Sequence, residues 1–255
     1  MIWDSFITLM ITSLLWIYDF IGQNFGWAII IFTVLVRLIT YPLNARQMKS
    51  SRAMQDLQSS KEWANIQKKY KDDKEGLAQK QMEIYREKGI SPFGSCLPLL
   101  IQFPVIIGLY QAIIRTLAVT PIQLVNLSKH IKLIPDIANL IPINSQFWWM
   151  ELSEPERLQM FGFGVPILAI LVVITSYIQT KMISPSGGAA DSGQGAQMTQ
   201  AMTLYMPFFM GYLALTFASG LGLYFIATNV ATIAQYVIMG QANFKNILPS
   251  LPKRV

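Results

Sequence analysis

The sequence predicts an all-α polytopic membrane protein with five transmembrane helices, a cytoplasmic helical hairpin and an N-terminal interfacial helix. The first reason is composition: the 255 residues are 53% hydrophobic and 13% charged, whereas soluble domains are about 25% charged. The second is that apolar stretches long enough to cross a bilayer recur along the chain. The third is charge: residues 46–88 hold eleven Lys or Arg and seven Asp or Glu, an excess typical of a cytoplasmic loop. So local an excess does not indicate a nucleic-acid surface.

The first transmembrane helix is predicted at residues 26–43, and it carries an arginine. In a straight helix that continues to Arg46, Arg37 lies ~13 Å from that basic end, inside a hydrocarbon core ~30 Å thick. An arginine at mid-depth costs ~2.5–3.5 kcal/mol on insertion scales, and a chain bears that cost when the guanidinium faces water or a partner. We therefore expect a polar pocket within the membrane at Arg37. The alternative is a side chain that reaches toward the near headgroups.

Residues 1–25 form an apolar segment that acidic and hydroxyl side chains interrupt. Trp3, Trp16 and Tyr18 are residue types of the membrane interface. We therefore expect a helix that lies in the outer interface. A crossing helix is the alternative, and it would require a tight return by Gly26. No basic region precedes the apolar part, which argues against a secretory signal peptide.

Residues 44–90 are polar, charged and rich in helix formers, with apolar residues at loosely helical spacing. The charged run Lys71–Lys74 separates two such sets and predicts a turn. Gly89 and Pro92 end the second helix. The sequence therefore predicts a two-helix cytoplasmic hairpin. The alternative is a solvated linker whose charge is incidental.

Residues 91–240 contain the four other predicted transmembrane helices. They are Cys96–Thr116, Phe163–Lys181, Met202–Phe217 and Leu221–Met239. The predicted connections are a long loop (119–159), a flexible linker (Ser184–Gln200) and a tight turn (Ser219–Gly220), and residues 241–255 form a short tail. Five crossings place 15 of the 20 Lys and Arg on one side. The positive-inside rule then puts the N-terminus outside and the C-terminus in the cytoplasm.

Cysteine and histidine are too scarce for several kinds of site. Cys96 and His130 are the single members of their types, which excludes an internal disulfide and argues against metal or catalytic sites built from these residues. We interpret Cys96 as a small apolar residue and His130 as a solvated loop residue. Because no predicted span offers a Ser–His pair or two aspartates, we expect no enzyme activity, no metal and no cofactor.

Three motifs resemble those of a known family. They are IIIFTVLVRLITYPL with the following ARQMKSSRAMQ, then GISPFGSCLPLLIQFPVIIGLY, then LYMPFFMGYLALTFASGLGLYFIATNVATIAQ. In this order they resemble the YidC/Oxa/Alb family of membrane-protein insertases, and within it the bacterial YidC branch. Two turns depart from the family pattern: Ser91-Pro92 stands where Asn-Pro is frequent, and Phe217–Gly220 lacks a usual proline. Neither departure touches Arg37.

The resemblance implies a five-helix bundle around a hydrophilic groove that is open to the cytoplasm and to lipid. By position, Arg37 corresponds to the groove arginine, and Thr33 lies one turn before it on the same face. Gln102 and Asn229 are polar groove candidates from other helices. The alternatives are structural: Thr33 would bond a carbonyl one turn back, and Gln102 and Asn229 would bond between helices.

The same resemblance implies an apolar flank along which a substrate helix slides into lipid. Phe103, Ile106 and Phe225 match positions of that slide, and side chains that only face lipid are the alternative. The implied function is a membrane protein insertase and chaperone without covalent catalysis. It would move short extracytoplasmic segments of nascent membrane proteins through the groove and release their helices into lipid, alone or with the Sec translocon.

The resemblance also implies a location, the bacterial plasma (inner) membrane, and a set of partners. These are nascent membrane proteins and membrane lipids, with the Sec translocon, the ribosome and a targeting receptor as further candidates. The main alternative function is an ion or solute transporter that uses Arg37 as an anion site. A transporter would need a second buried charge as a coupling site, yet no other Asp, Glu, Lys or Arg lies deep in any predicted span. Assembly scaffolding without insertion is a third hypothesis.

Overall fold

The fold is that of a computed structural model, which describes residues 2–58, 60–70, 73–89, 97–117, 143–160, 163–183, 194–240 and 242. The described helices are α1 (Ile2–Phe20), α2 (Phe25–Ile39), α3 (Tyr41–Gln58), α4 (Lys61–Lys69), α5 (Lys74–Glu87), α6 (Leu97–Thr116), α7 (Ile167–Ile183), α8 (Gln194–Thr216) and α9 (Ser219–Ile238). Two antiparallel hairpins pair β1 (Gln146–Phe147) with β2 (Met150–Glu151) and β3 (Leu158–Met160) with β4 (Phe163–Val165). The predictions for Ser91-Pro92, Cys96, His130 and nearly all of the tail lie outside the described residues.

The first two helices meet at a sharp turn. Gly22 and Gln23 have positive φ angles of 82° and 63°, and the Asn24 side chain then caps α2 by accepting a hydrogen bond from the Trp27 amide (3.2 Å). The chain bends by 119° between α1 and α2. One face of α1 is buried, and it consists of Ile7, Met10, Ile11, Leu14, Leu15, Ile17 and Tyr18. Because α1 packs on α2 and α6, it belongs to the main core, while its position at a membrane interface stays a prediction.

The first predicted span, residues 26–43, is not one continuous helix. The chain breaks at Thr40, between α2 and α3. The Thr40 amide still donates to the Val36 carbonyl (2.9 Å), but Pro42 has no N–H with which to continue the helical pattern. Arg37 therefore lies in the last turn of α2. Its depth in a membrane stays a prediction.

The polar segment that follows forms three helices where two were predicted. The predicted first helix is divided at Ser60, whose hydroxyl caps α4 by accepting a hydrogen bond from the Trp63 amide (3.2 Å). Asp73, in the charged run predicted as a turn, caps α5 by accepting from the Gly76 amide (2.8 Å). A small apolar cluster, separate from the main core, joins the three helices; it consists of Leu57, Trp63, Ile84 and Tyr85.

Exposed ion pairs lie on the surface of this hairpin. Lys88 at the end of α5 donates to the Glu62 carboxylate of α4 (2.8 Å), and Lys80 donates to Glu83 (2.6 Å). The hydrogen bond to Glu83 raises the pKa of Lys80 above its ordinary value. Because solvent screens such exposed pairs, they add little stability. The apolar cluster is therefore the main source of hairpin stability.

Helix α9 lies at the centre of the remaining bundle. It contacts α2, α6, α7 and α8, and α7 packs along α8. Glycines allow these helices to approach closely: Gly222 of α9 lies against the Leu168 side chain, and Gly211 of α8 lies against Val173. In both places an added Cβ would overlap the neighbouring side chain, so a larger residue would require that side chain to shift.

Three helix boundaries in the bundle differ from the sequence prediction. Phe163–Val165 is strand β4, and α7 begins only after Pro166, whose carbonyl accepts the first helical hydrogen bond from Ile170 (3.2 Å). Helix α8 begins at Gln194, inside the predicted linker. Ser219 and Gly220 were predicted as a tight turn, but they are the first residues of α9. The early start of α9 is explained by a loop segment whose carbonyls bond to this end of the helix.

That segment is residues 143–156, which we call the clasp. Ser219 donates from its hydroxyl to the Glu151 carbonyl (2.6 Å) and from its amide to the Glu154 carbonyl (2.8 Å). The Gly220 amide donates to the carbonyl of Leu152 (3.1 Å), whose side chain is fully buried. The free amides at the start of α9 are thus satisfied by clasp carbonyls, which is why the helix begins there.

The clasp also contacts the ends of three other helices. The carboxylate of Glu156 accepts from the Leu168 amide at the start of α7 (2.8 Å). The Asn144 amide donates to the hydroxyl of Tyr18, near the end of α1 (2.9 Å). The ring of Phe147 packs directly on the start of α2, where an added Cβ at Gly26 would overlap it. Four helix ends are therefore fixed relative to one another.

The helix lengths bear on membrane crossing. Within the described residues, α9 alone is long and apolar enough to span a bilayer as a single helix, while α1 and α2 meet the same test only as a bent pair. Shorter apolar segments run over Ile167–Met182 and Leu204–Thr216. The predicted helical class is confirmed, whereas the five crossings remain a prediction.

Candidate functional site

Arg37 lies at the contact between α2 and α9. It is half-buried, and its backbone carbonyl accepts a hydrogen bond from Gln235 Nε2 of α9 (3.3 Å). In the described part of the chain, no carboxylate forms an ion pair with its guanidinium. The side chain therefore offers an uncompensated positive charge beside an apolar bundle.

A second polar pair lies between α6 and α9. Gln102 donates from Nε2 to the hydroxyl of Tyr224 (2.6 Å), and the Tyr224 ring is buried in the core. The Arg37 guanidinium is among the groups that lie near the Tyr224 hydroxyl. Polar groups from α2, α6 and α9 thus gather in one region, and two of the predicted groove residues belong to it.

Sequence analysis missed Tyr224 and Gln235 as members of this region. A signal was present in the spacing of α9, where buried polar residues recur every three or four positions. They are Tyr224, Thr228, Thr232 and Gln235. Residues at this spacing share one helix face, so the stripe could have been found by following polar rather than apolar periodicity.

Asn229 lies on a different face of α9. Its amide donates to the hydroxyls of Thr175 (3.0 Å) and Ser176 (2.8 Å) on α7. This geometry matches the alternative given for it, a hydrogen bond between helices. The structure therefore places Asn229 at the α7–α9 contact, on another side of α9 from Gln235 and its bond to Arg37.

Thr33 lies one turn before Arg37, as its spacing requires. Its hydroxyl donates to the Ile29 carbonyl (2.7 Å), and the residue is 1% exposed. This local bond is the alternative anticipated for threonine in an apolar helix. In this conformation the hydroxyl proton of Thr33 is already used, which leaves an oxygen lone pair as its free polar function.

The three residues predicted for the apolar flank have different environments. Phe103 is 44% exposed, whereas Ile106 is buried and Phe225 is 4% exposed. Sequence analysis missed Ile107, which is exposed one turn after Phe103 and extends its outward face along α6. In this conformation α6 presents Phe103 and Ile107 outward, while Phe225 packs in the core.

The arrangement supplies hydrogen bonds and one positive charge. In the residues that the structure describes, no group of three His, Cys, Asp or Glu could hold a metal ion. The polar atoms near Arg37 are amides and a phenol hydroxyl. These groups can hydrate a cavity, and the Arg37 guanidinium can attract an acidic segment.

Comparisons with known proteins show the family to which this chain belongs. A family model described as the 60Kd inner membrane protein matches residues 16–246. The membrane protein insertase YidC of Leptospira interrogans (serovar Lai) is 34% identical over 230 residues, which cover 86% of this chain and 31% of that protein. The membrane protein insertase MisCA of Bacillus subtilis is 31% identical over 253 residues, which cover 97% of this chain and 83% of that protein. The chain thus spans about a third of the Leptospira relative.

A solved structure gives the same result. A crystal structure of an active YidC insertase, with its first transmembrane domain resolved, matches with a TM-score of 0.57 at 27% identity. The match covers 92% of this chain and 46% of that one. Since the family model matches most of the chain and most of MisCA is covered, this chain belongs to the 60Kd inner membrane protein family, the YidC/Oxa/Alb insertase family.

Proposed function

We propose that this chain is a membrane protein insertase, which moves short hydrophilic segments of nascent membrane proteins across the inner membrane and releases their helices into lipid. The observation that carries the proposal is Arg37, a half-buried arginine at the end of an apolar helix with polar neighbours and, among the described residues, no carboxylate partner. The relatives named membrane protein insertases support the same activity.

The proposed topology has five crossings, by α2, α6, α7, α8 and α9. Helices α6, α8 and α9 have 20, 23 and 20 residues, and at ~1.5 Å per residue the length of each matches a ~30 Å core. Helices α2 and α7 have 15 and 17 residues, so they fit a locally thinner bilayer. Helix α1 would lie in the outer interface and α3–α5 in the cytoplasm, which leaves the clasp at the outer end.

The proposed mechanism lowers the barrier for a polar tail. A tail that enters a hydrated groove from the cytoplasm crosses less hydrocarbon, and Arg37 attracts its acidic residues on the way. The Gln102–Tyr224 pair would help to keep this region polar. Hydrophobic partition of the substrate helix then completes transfer, aided by the membrane potential at ~2.3 kcal/mol per charge and 100 mV.

The substrate helix would leave along α6. Phe103 and Ile107 form an exposed apolar face there, and this face suits a second apolar helix as well as lipid. Ile106 would support this surface from within the core. Phe225 would contact a substrate only after α9 moves, because it is buried in the present conformation.

The basic hairpin would act in recruitment. It has its own apolar cluster and exposed ion pairs, so it can fold beside the bundle without entering it. Its surplus of Lys and Arg suits anionic lipid, the ribosome, a targeting receptor or the Sec translocon as partners. Chaperone action beside the translocon belongs to the same proposal.

Reconstitution tests the proposal. The purified protein is placed in liposomes and given a small single-span substrate with a short acidic outer tail. We expect the tail to become protected from added protease in liposomes that contain the protein, but not in empty liposomes. Release of a trapped anion without tail protection would favour the transporter alternative and contradict the proposal.

A further inference from the structure

Exposed aromatic side chains gather at the clasp end of the molecule. We call this set the aromatic end; it consists of Trp16, Phe20, Trp27, Trp148 and Trp149. Trp16 and Phe20 are stacked on α1 with ring centroids 5.9 Å apart. Trp148 stacks on Phe147 (5.3 Å), and Phe147 meets Trp27 edge-on (5.9 Å). Aromatic contacts thus connect the hairpin tip to the start of α2.

The clasp joins the segments that carry these aromatic residues. Tyr18, between Trp16 and Phe20 in α1, accepts a hydrogen bond from Asn144 of the clasp. Phe147, next to Trp148, packs on Gly26, next to Trp27. The aromatic end is therefore a defined surface built from α1, α2 and the clasp.

Trp148 occupies a position that the backbone alone would not select. It is the first residue of the two-residue loop between β1 and β2, and its φ is +54°. Glycine is favoured at such a position, and a bulky residue there is a conformational outlier. The side chain is 75% exposed, and its ring lies beside those of Phe147 and Trp149. Folding gains little from a tryptophan here, which points to a partner outside the chain.

The level of the aromatic end along the bundle identifies that partner. The clasp carbonyls of Glu151 and Leu152 bond the first residues of α9, only a few positions from Trp148 in the chain. Helix α9 has 20 residues, so it is about 30 Å long and matches the hydrocarbon core. Its first residue then marks the boundary between hydrocarbon and headgroups, where tryptophan rings are favoured.

We propose that the aromatic end inserts into the interfacial layer of the outer leaflet and that Trp148 is retained for lipid contact rather than for packing. The occupant is the lipid interface itself and not a specific anionic headgroup, because the exposed charges nearby include Asp19 and Glu154. Anchoring α1, α2 and the clasp at this level sets the height of α2, and with it the depth of Arg37. The proposal depends on the membrane placement of α9 and not on insertion of substrates.

Quenching by brominated lipids tests the contact directly. The chain has six tryptophans, so one variant keeps only Trp148 and a matched control keeps only Trp63, which is buried in the hairpin cluster. Both are reconstituted in phosphatidylcholine brominated at carbons 6 and 7 or at carbons 11 and 12. We expect strong quenching of Trp148 that is greater for the shallower bromines and unaffected by salt, and no quenching of Trp63. Quenching of Trp148 by aqueous iodide but not by bromolipid would overturn the proposal.

Two substitutions separate lipid contact from packing. Trp148→Asn suits a positive φ and removes the ring, whereas Trp148→Phe keeps both the ring and the strain. We expect Trp148→Asn to leave the thermal midpoint in detergent unchanged or higher. Both substitutions are also made in a background whose only other tryptophan is Trp149. There, bromolipid should quench the Trp149 fluorescence several-fold less in Trp148→Asn than in Trp148→Phe. A loss of detergent stability as large as that of Phe147→Ala would show that Trp148 is a packing residue and would contradict the proposal.

Discussion

Arg37 is the residue whose charge the proposed mechanism uses. It lies in the last turn of α2, where Gln235 donates to its carbonyl and the Gln102–Tyr224 pair lies nearby. A residue that attracts acidic tails lowers the barrier only through an interaction that is stronger at the top of the barrier than in the ground state, and a neutral tail lacks this interaction. This makes the role of its charge measurable apart from its role in the fold.

Substitutions of Arg37 should therefore depend on the charge of the substrate tail. We expect Arg37→Lys to retain much insertion, because the charge is kept although the planar fork is lost. Arg37→Ala should reduce insertion about tenfold for a tail with two acidic residues, which corresponds to ~1.4 kcal/mol, and much less for a neutral tail. The measurement is insertion efficiency of one single-span substrate with zero, one or two acidic residues.

The matched control is Arg115→Ala, which removes an arginine at the end of α6 that bonds to Gln111. We expect it to change insertion little at every tail charge. Equal loss at all tail charges in Arg37→Ala, with Arg37→Gln matching Arg37→Lys, would show that Arg37 only hydrates or braces the groove.

Gly26 is a residue whose importance is steric. A Cβ at this position would overlap the Phe147 ring of the clasp, and overpacking of this kind costs ~1–3 kcal/mol. We expect Gly26→Ala to lower the thermal midpoint in detergent. Gly164→Ala is the control, because its Cβ would meet Arg157 at an ordinary distance of 3.5 Å. Equal thermal midpoints for the two variants would mean that the clasp does not pack rigidly against α2.

At the scale of elements, the hairpin of α3–α5 and the bundle have separate cores. The hairpin cluster consists of Leu57, Trp63, Ile84 and Tyr85. The main core is formed by α1, α2, the clasp and α6–α9. Two apolar cores without shared members can be disrupted one at a time. The hairpin can therefore be altered without unfolding the bundle.

Deletion of residues 62–83 should separate recruitment from transfer. We expect lower insertion in cells but an unchanged thermal midpoint of the bundle in detergent, since the main core is untouched. Trp63→Ala is the milder companion, and it should act in the same direction by opening the small cluster. Collapse of detergent stability in the deletion variant would contradict the separation of the two cores.

At the scale of the whole molecule, the two ends differ in character. The aromatic end carries exposed tryptophans, while basic residues are concentrated in residues 46–88, which follow the opposite end of α2. This asymmetry fits a bilayer with its cytoplasmic face at the basic end. A groove open only to that face would admit water from one side.

Single cysteines in a Cys96→Ala background measure this access. We expect cysteines at Arg37 and Gln102 to react with a membrane-impermeant thiol reagent added from the cytoplasmic side and not from outside. Cysteines at Thr33 and Asn229 should react more slowly, because both residues are buried in this conformation. Lys61→Cys and Glu154→Cys, both at exposed positions, serve as inside and outside controls. Labelling at Arg37 only from outside would remove the open-groove proposal.

The sequence by itself determined the features that depend on neighbours along the chain. Composition and apolar stretches gave the helical membrane class, and an arginine in the run from Gly26 to Tyr41 marked the candidate site. Asp73, in the predicted charged turn, caps α5 as local chemistry requires. Such signals act over a few residues, so a one-dimensional pattern contains them.

Only the tertiary structure decided which polar groups meet. Gln102 donates a hydrogen bond to Tyr224, which lies 122 positions later in the chain. Asn229 bonds to α7 and not to the region near Arg37. The start of α9 at Ser219 depends on carbonyls of the clasp. An apolar helix in a bilayer carries hydrophobic residues on every face, so its sequence does not fix its rotation, and packing against neighbouring helices selects the face that each polar side chain presents.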